Sequence, residues 1–150
     1  MGRGGIDPVN SATSRLPAAC PFYINTQLLD EMRSHVMQVT PEEACGLVAG
    51  TSTEALAVIP MINTLHSPWR YRMHPADQLR VFNDIDQQGW VLLAIYHSHP
   101  LGPAFPSATD IAEAYYPEAV YLIWSVQDEA WHPRAFNIRD REVTEVTLPT

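Results

Sequence analysis

Positive charge is scarce in this chain. Nine lysine and arginine residues stand against seventeen aspartates and glutamates, a formal net charge of -8. A surface of that sign repels phosphate backbones and anionic headgroups, which argues against nucleic acid or an anionic membrane as the main partner. Cysteine is rarer still. Cys20 and Cys45 are the only two, too few for a disulfide framework, so a reducing cytoplasm is the expected setting and both thiols are expected to be inert. Long apolar runs are also missing. No stretch approaches the roughly 18 residues that a membrane-crossing helix needs. The opening "MGRGGIDPVNSATSRLPAAC" holds no continuous apolar segment of the secretory type, and Gly2 lacks the downstream Ser or Thr of a myristoylation signal.

What remains is a globular composition. Hydrophobic residues at 46% and charged residues at 17% of 150 favour a single domain with a sizeable core. Residues 1–20, rich in Gly, Ser, Pro and Ala, read as a mobile leader, and residues 21–150 as the folded domain. "FYIN" suggests a short strand. "TQLLDEMRSHVMQ" follows as a helix capped at Thr26, with Leu28, Leu29, Met32, Val36 and Met37 near one stripe. "ACGLVAG" and "ALAVIPMIN" read as paired strands, with Pro60 marking an edge or bulge. "YRM" suggests a brief strand. "HPADQLRVFNDIDQQG" reads as a helix with Pro75 in its first turn and Leu79, Phe82 and Ile85 on its apolar face. "WVLLAIYHS" has the unbroken apolar pattern of a strand covered on both faces. "SATDIAEAYY" offers a short capped helix, and "AVYLIWSV", "WHPRAFNIR" and "EVTEVTL" three closing strands. The alternation predicts an α/β fold, one mixed sheet with helices packed against it.

The stretch "YHSHPLGPAFPSATD", Tyr96 to Asp110, carries the chemistry. Residues two apart in a strand share a face, so His97 and His99 can aim both imidazoles at one point. A proline-stiffened loop then leads to Asp110, which can add a carboxylate oxygen. Two neutral nitrogens and one carboxylate, with a fourth position left to water, is the donor set of a catalytic zinc rather than a structural one. Hydrolysis also needs a proton acceptor, for which "TPEEACGLVAG" supplies candidate carboxylates, and Ser107 could donate its hydroxyl to a developing oxyanion.

"HSHPLGPAFPSATD" resembles, without a gap, the pattern His-Ser/Thr-His, seven residues, Ser, two residues, Asp, and "EEACGLVAG" resembles the upstream glutamate segment of the same family. The family is the JAMM (MPN+) metalloproteases, also called Mov34/MPN/PAD-1. The resemblance covers about residues 22 to 148 and implies a cytidine-deaminase-like three-layer α/β/α sandwich. It implies one zinc per chain held by His97, His99 and Asp110, Glu43 as general acid/base, and Ser107 stabilising the tetrahedral intermediate. Glu43 is preferred to Glu42 because the family glutamate stands three residues before a glycine, here Gly46. The rival zinc deaminases are disfavoured because their H-x-E…P-C-x-x-C signature is absent.

The implied activity is a zinc-dependent isopeptidase cutting after the C-terminal Gly-Gly of a ubiquitin-like protein. Only about 40 residues follow Asp110, which leaves little room for the second insertion of eukaryotic relatives. That favours a short prokaryote-type member acting on sulfur-carrier (ThiS- or MoaD-like) proteins in the cytoplasm. The alternatives are an inactive MPN-type scaffold, against which all five positions are filled, and a peptidase of cell-wall or phage-tail peptides. Of the remaining candidates, Cys45 reads as a buried thiol, His35, His66, His74 and His132 as packing or loop residues, and Trp69 and Trp131 as core or contact surface. Arg70 and Arg72 read as a solvated face or a site for a substrate carboxylate.

Overall fold

The computed structural model describes residues 18–149. The leader expected for residues 1–20 therefore lies, through residue 17, outside the described residues. Along these the chain forms β1 (Ala18–Ala19), α1 (Thr26–Val39), β2 (Cys45–Gly50), β3 (Ala55–Met61) and α2 (Pro75–Gln87). There follow β4 (Val91–His99), α3 (Ala108–Ala112), β5 (Val120–Gln127), β6 (Ala130–Arg139) and β7 (Glu142–Thr147). The strands make one sheet in the order β1-β7-β6-β5-β4-β2-β3. The β4–β5 and β1–β7 pairs are parallel and the rest antiparallel, so the sheet is mixed, as the sequence predicts. No helix among the described residues is long and apolar enough to cross a membrane.

Strand β4 organises the layers. Its side chains alternate between faces. Ala94 and Tyr96 pack in one cluster with Met32 and Val36 of α1, while Ile95 packs in a second with Val81 and Ile85 of α2. One helix therefore covers each face, and the fold is the expected three-layer α/β/α sandwich. Pro60 lies in β3, which is an edge strand, where its missing N–H interrupts no ladder.

Several local expectations give way to better partners. Asn25, not Thr26, caps α1, because its side chain accepts the Leu28 N–H at 2.9 Å. Met37 leaves the α1 stripe and is 55% exposed, since Met32 and Val36 already fill the layer beneath the sheet. On α2, Val81 and Ile85 form the buried face, and Leu79, about 200° round the helix from Val81, is 61% exposed. His74 caps this helix by accepting the Ala76 N–H at 3.1 Å. The segments "FYIN" and "YRM" are not strands. Phe22 and Ile24 are buried, but the backbone between them makes only an isolated bridge, Tyr23 to Glu54. Residues 71–73 run irregularly, tied by Arg72 to Asn63 and Thr64. The third helix is shorter than "SATDIAEAYY" suggests.

Gly46 faces Tyr96 across the β2–β4 register, and the space a Cβ would take is filled by the tyrosine ring. That ring cannot swing away, being fully buried with its hydroxyl 2.7 Å from His35 Nδ1. Gly46→Ala is therefore expected to destabilise the protein by about 1–3 kcal/mol, read as a lower urea midpoint at unchanged slope.

Candidate metal centre

The centre is built where β4 ends against the start of β2. His97 and His99, two residues apart, point to the α2 face, and Ser98 between them points away. Ser98 Oγ accepts the Ala44 N–H at 2.8 Å, and the Ser98 N–H donates to the Ala44 carbonyl at 3.1 Å. This double clamp fixes the residue next to Glu43 and sets that carboxylate beside the imidazoles. The loop leaving β4 returns at Ser107, the N-cap of α3. There the Asp110 N–H donates to Ser107 Oγ at 3.0 Å, and the Ser107 N–H donates to Asp110 Oδ2 at 2.8 Å. This reciprocal capping box orients the Asp110 carboxylate as well as starting the helix.

Three donor atoms result, nearly equidistant. His97 Nε2 and His99 Nε2 lie 3.0 Å apart, and Asp110 Oδ2 is 3.2 Å and 3.1 Å from them. Tetrahedral zinc with ligand bonds of about 2.0–2.1 Å places its ligands about 3.3 Å from one another. The triangle has that scale. His99 Nδ1 donates to the Pro103 carbonyl at 2.7 Å, which leaves its Nε2 lone pair facing the triangle. Tyr71 stacks on His97 with ring centroids 4.8 Å apart. Glu43 stands close by, 4% exposed, with ligand-type atoms of Glu43, His97 and His99 all within 4.8 Å of one another. Its Oε1 is buried without a partner among the described residues. An orphaned carboxylate oxygen beside three converging donors calls for a polar or cationic partner, and the donor set fits zinc.

The electrostatics agree. Burial alone would raise the Asp110 pKa, but the neighbouring His97 and His99 imidazoles and the Ser107 N–H hold it well below the carboxylate range. Burial alone would lower that of His99, yet Asp110 and the Pro103 carbonyl raise it. The group draws positive charge to itself. Glu43 behaves oppositely. Burial pushes its pKa up to about 8, the positive charge of His99 pulls it back, and Asp110 adds to the rise.

The structure thus brings Glu43, His97, His99, Ser107 and Asp110 into one place. Glu42 turns outward, 3.2 Å from His66 Nδ1. Cys45 is fully buried, and burial together with the Glu43 carboxylate pushes its thiol up to about 12, the opposite of an activated nucleophile. His132 is exposed in β6 opposite Ser125, which in turn pairs with His99, so it stands level with this end of β4 but two strands away. Arg70 and Arg72 are exposed, and Arg70 lies 3.8 Å from Glu113.

Sequence reading gave no role to Asn63. Its buried amide donates through Nδ2 to the carbonyls of Glu43 at 3.1 Å, Ser67 at 3.4 Å and Arg70 at 3.0 Å. Its Oδ1 accepts the N–H groups of Leu65 at 3.0 Å and Arg72 at 3.2 Å. Carbonyls surround one end and N–H groups the other, which forces the orientation of the amide. Asn63 so fastens the 64–72 loop, with Trp69 and Tyr71, to the backbone of Glu43. The only sequence signal is an asparagine where a strand ends.

Between pH 4.5 and about 8 the folded chain without metal holds a proton on Glu43 that the unfolded chain has released. Its stability therefore falls as pH rises through that window. Glu43→Gln removes this loss. In chelated protein the variant should gain stability over wild type from the lower to the upper pH by roughly 2–4 kcal/mol, measured by denaturant titration at each pH.

Comparison with known proteins gives a consistent picture. The chain matches the family described as prokaryotic homologs of the JAB domain over residues 25–139. It is 38% identical over 125 residues to the CysO-cysteine peptidase of Mycobacterium tuberculosis, a match covering 81% of this chain and 86% of that one. It is 44% identical over 94 residues to a probable TtuB-protein conjugate cleaving protease of Thermus thermophilus, covering 62% and 63%. A solution structure from Desulfitobacterium hafniense superposes with a TM-score of 0.76 at 34% identity, over 85% of this chain and 90% of that one. The matched span contains Glu43, His97, His99, Ser107 and Asp110, and the chain belongs to the prokaryotic JAB-domain family as a short JAMM/MPN peptidase.

Proposed function

We propose that this protein is a cytoplasmic zinc-dependent peptidase that hydrolyses the amide after the C-terminal Gly-Gly of a ubiquitin-like or sulfur-carrier protein. The reading is carried by the donor triangle with the buried, unpartnered Glu43 carboxylate beside it. It is supported by relatives named for cleaving CysO-cysteine and TtuB-protein conjugates. The space between Tyr71 and Asp110 is about 20 Å³, with Trp69 and Thr109 also at its edge. That is room for about one water and for no part of a substrate unless these side chains move.

His97, His99 and Asp110 are the residues that would hold one zinc per chain. Held there, zinc would supply Lewis acidity and would lower the pKa of a bound water towards neutrality. Glu43 takes the proton of the attacking water and returns it to the leaving amine, so it must alternate between protonation states near neutral pH. Its burial suits that task by favouring the protonated form more than in an exposed carboxylate. Ser107 Oγ spends a lone pair on the Asp110 N–H, which leaves its own hydrogen free to donate to the oxyanion. Tyr71 and the Pro103 carbonyl hold the two imidazoles in place.

Purified enzyme should carry about one zinc per chain and release X from a carrier–Gly-Gly–X fusion, with activity lost on chelation. The chain contains no lysine, so its own side chains offer no amine to be conjugated and confuse the products. Glu43→Gln should retain zinc and lose about 10²–10⁴ in kcat. Ser107→Ala should lose about 10²–10³ in kcat with little change in KM. Full turnover by Glu43→Gln would remove it as the base, and a chain with neither zinc nor turnover would return the protein to the scaffold reading.

A further inference from the structure

On the Glu43 side of the donor triangle lies an open cavity of about 180 Å³. Pro68 and Trp69 form one wall, and Pro103, Phe105 and Pro106 of the β4–α3 loop form another. Glu43, His99 and Ser107 also border it, so it opens onto the site of chemistry. Trp69 is 64% exposed and Phe105 46%. Two large aromatics standing in water next to a buried carboxylate offer apolar area to whatever enters between them.

Both rings stand on fixed backbone. Phe105 packs edge-to-face on Phe136 at 5.4 Å, and its loop is held by Arg134 Nη1 donating to the Ala104 carbonyl at 3.0 Å. His99 donates to the Pro103 carbonyl in the same loop. On the other wall the Trp69 N–H donates to Ser67 Oγ at 3.0 Å, and Asn63 binds the carbonyls of Ser67 and Arg70 on either side. Ordering the walls therefore costs little when a ligand arrives.

The direction of proton transfer says which part of the substrate belongs here. Glu43 returns its proton to the leaving amine, so the leaving group has to pass Glu43, and the Trp69–Phe105 cavity is an opening that Glu43, His99 and Ser107 border together. The other hollow that Glu43 borders touches neither imidazole nor Ser107. No lysine or arginine lines the Trp69–Phe105 cavity, and Glu43 gives it negative character. Building on the proposed peptidase reading, we infer that the residue on the leaving side of the scissile amide is gripped between Trp69 and Phe105. This subsite selects compact apolar side chains of leucine or methionine size and rejects acidic ones.

The test is a set of carrier–Gly-Gly–X-peptide fusions with X as Met, Leu, Gly or Asp. Met and Leu should exceed Gly at least tenfold in kcat/KM, and Asp should be poorest. Trp69→Ala, Phe105→Ala and the milder Phe105→Leu should compress the Met-to-Gly ratio, mainly through KM. Leu79→Ala, on the solvent side of α2, should keep it. Trp69→Arg should raise Asp relative to Met. Separately, a Met-initiated product peptide added to Glu43→Gln enzyme should shift tryptophan emission to the blue, an effect lost in Trp69→Phe. A flat wild-type preference, or a full Met-to-Gly ratio in the Trp69 and Phe105 variants, overturns the subsite. If no fusion is cleaved at all, the peptidase reading fails, and the emission shift alone decides whether the cavity binds apolar residues.

Discussion

The antiparallel pairing of β2 with β4 is the constraint on which the rest of the site depends. Cys45 lies opposite His97 in that register, so the residues just before β2 arrive at the height of the two imidazoles. Ser98 then locks the junction by bonding both backbone groups of Ala44. A slip of one residue would turn His97 and His99 to the α1 face and Ser98 towards the metal side. The buried core on both faces forbids that slip, since Tyr96 and Ile95 would exchange layers. The geometry of the site is thus enforced by hydrophobic burial that lies outside it.

The second support is polar and local. Asp110 is oriented by the N-cap that begins α3, and Glu43 is held by a buried asparagine that also fastens the loop over the site. These devices let a short chain keep two carboxylates close to each other. Asp110 is stabilised as an anion by His97, His99 and the Ser107 N–H, whereas Glu43 is buried and its pKa is raised. Neighbouring carboxyl groups with pKa values driven apart can take different parts in one reaction.

Much of this could be read from the chain. The unbroken apolar run of β4, the two-residue spacing of the histidines and the Ser-x-x-Asp spacing all report local geometry, which sequence encodes directly. Other features were hidden because their partners are remote. Asn63 looks like an ordinary strand-end residue until Glu43, Ser67, Arg70 and Arg72 gather round it. Leu79 fits a helical stripe in the sequence but faces solvent, because the sheet accepts Val81 and Ile85 instead. "FYIN" has strand composition but makes only one bridge.

By itself, then, the sequence determined the donor types, their spacing within β4 and α3, and the layered fold that covers β4 on both sides. It could do so because these properties depend on neighbours within a few residues along the chain. Only the tertiary structure decided that Asn63 ties the 64–72 loop to Glu43, and that Trp69 and Phe105 stand on opposite sides of one cavity. Those outcomes follow from strand register and loop anchoring, which bring distant segments together and leave no periodic trace in the order of residues.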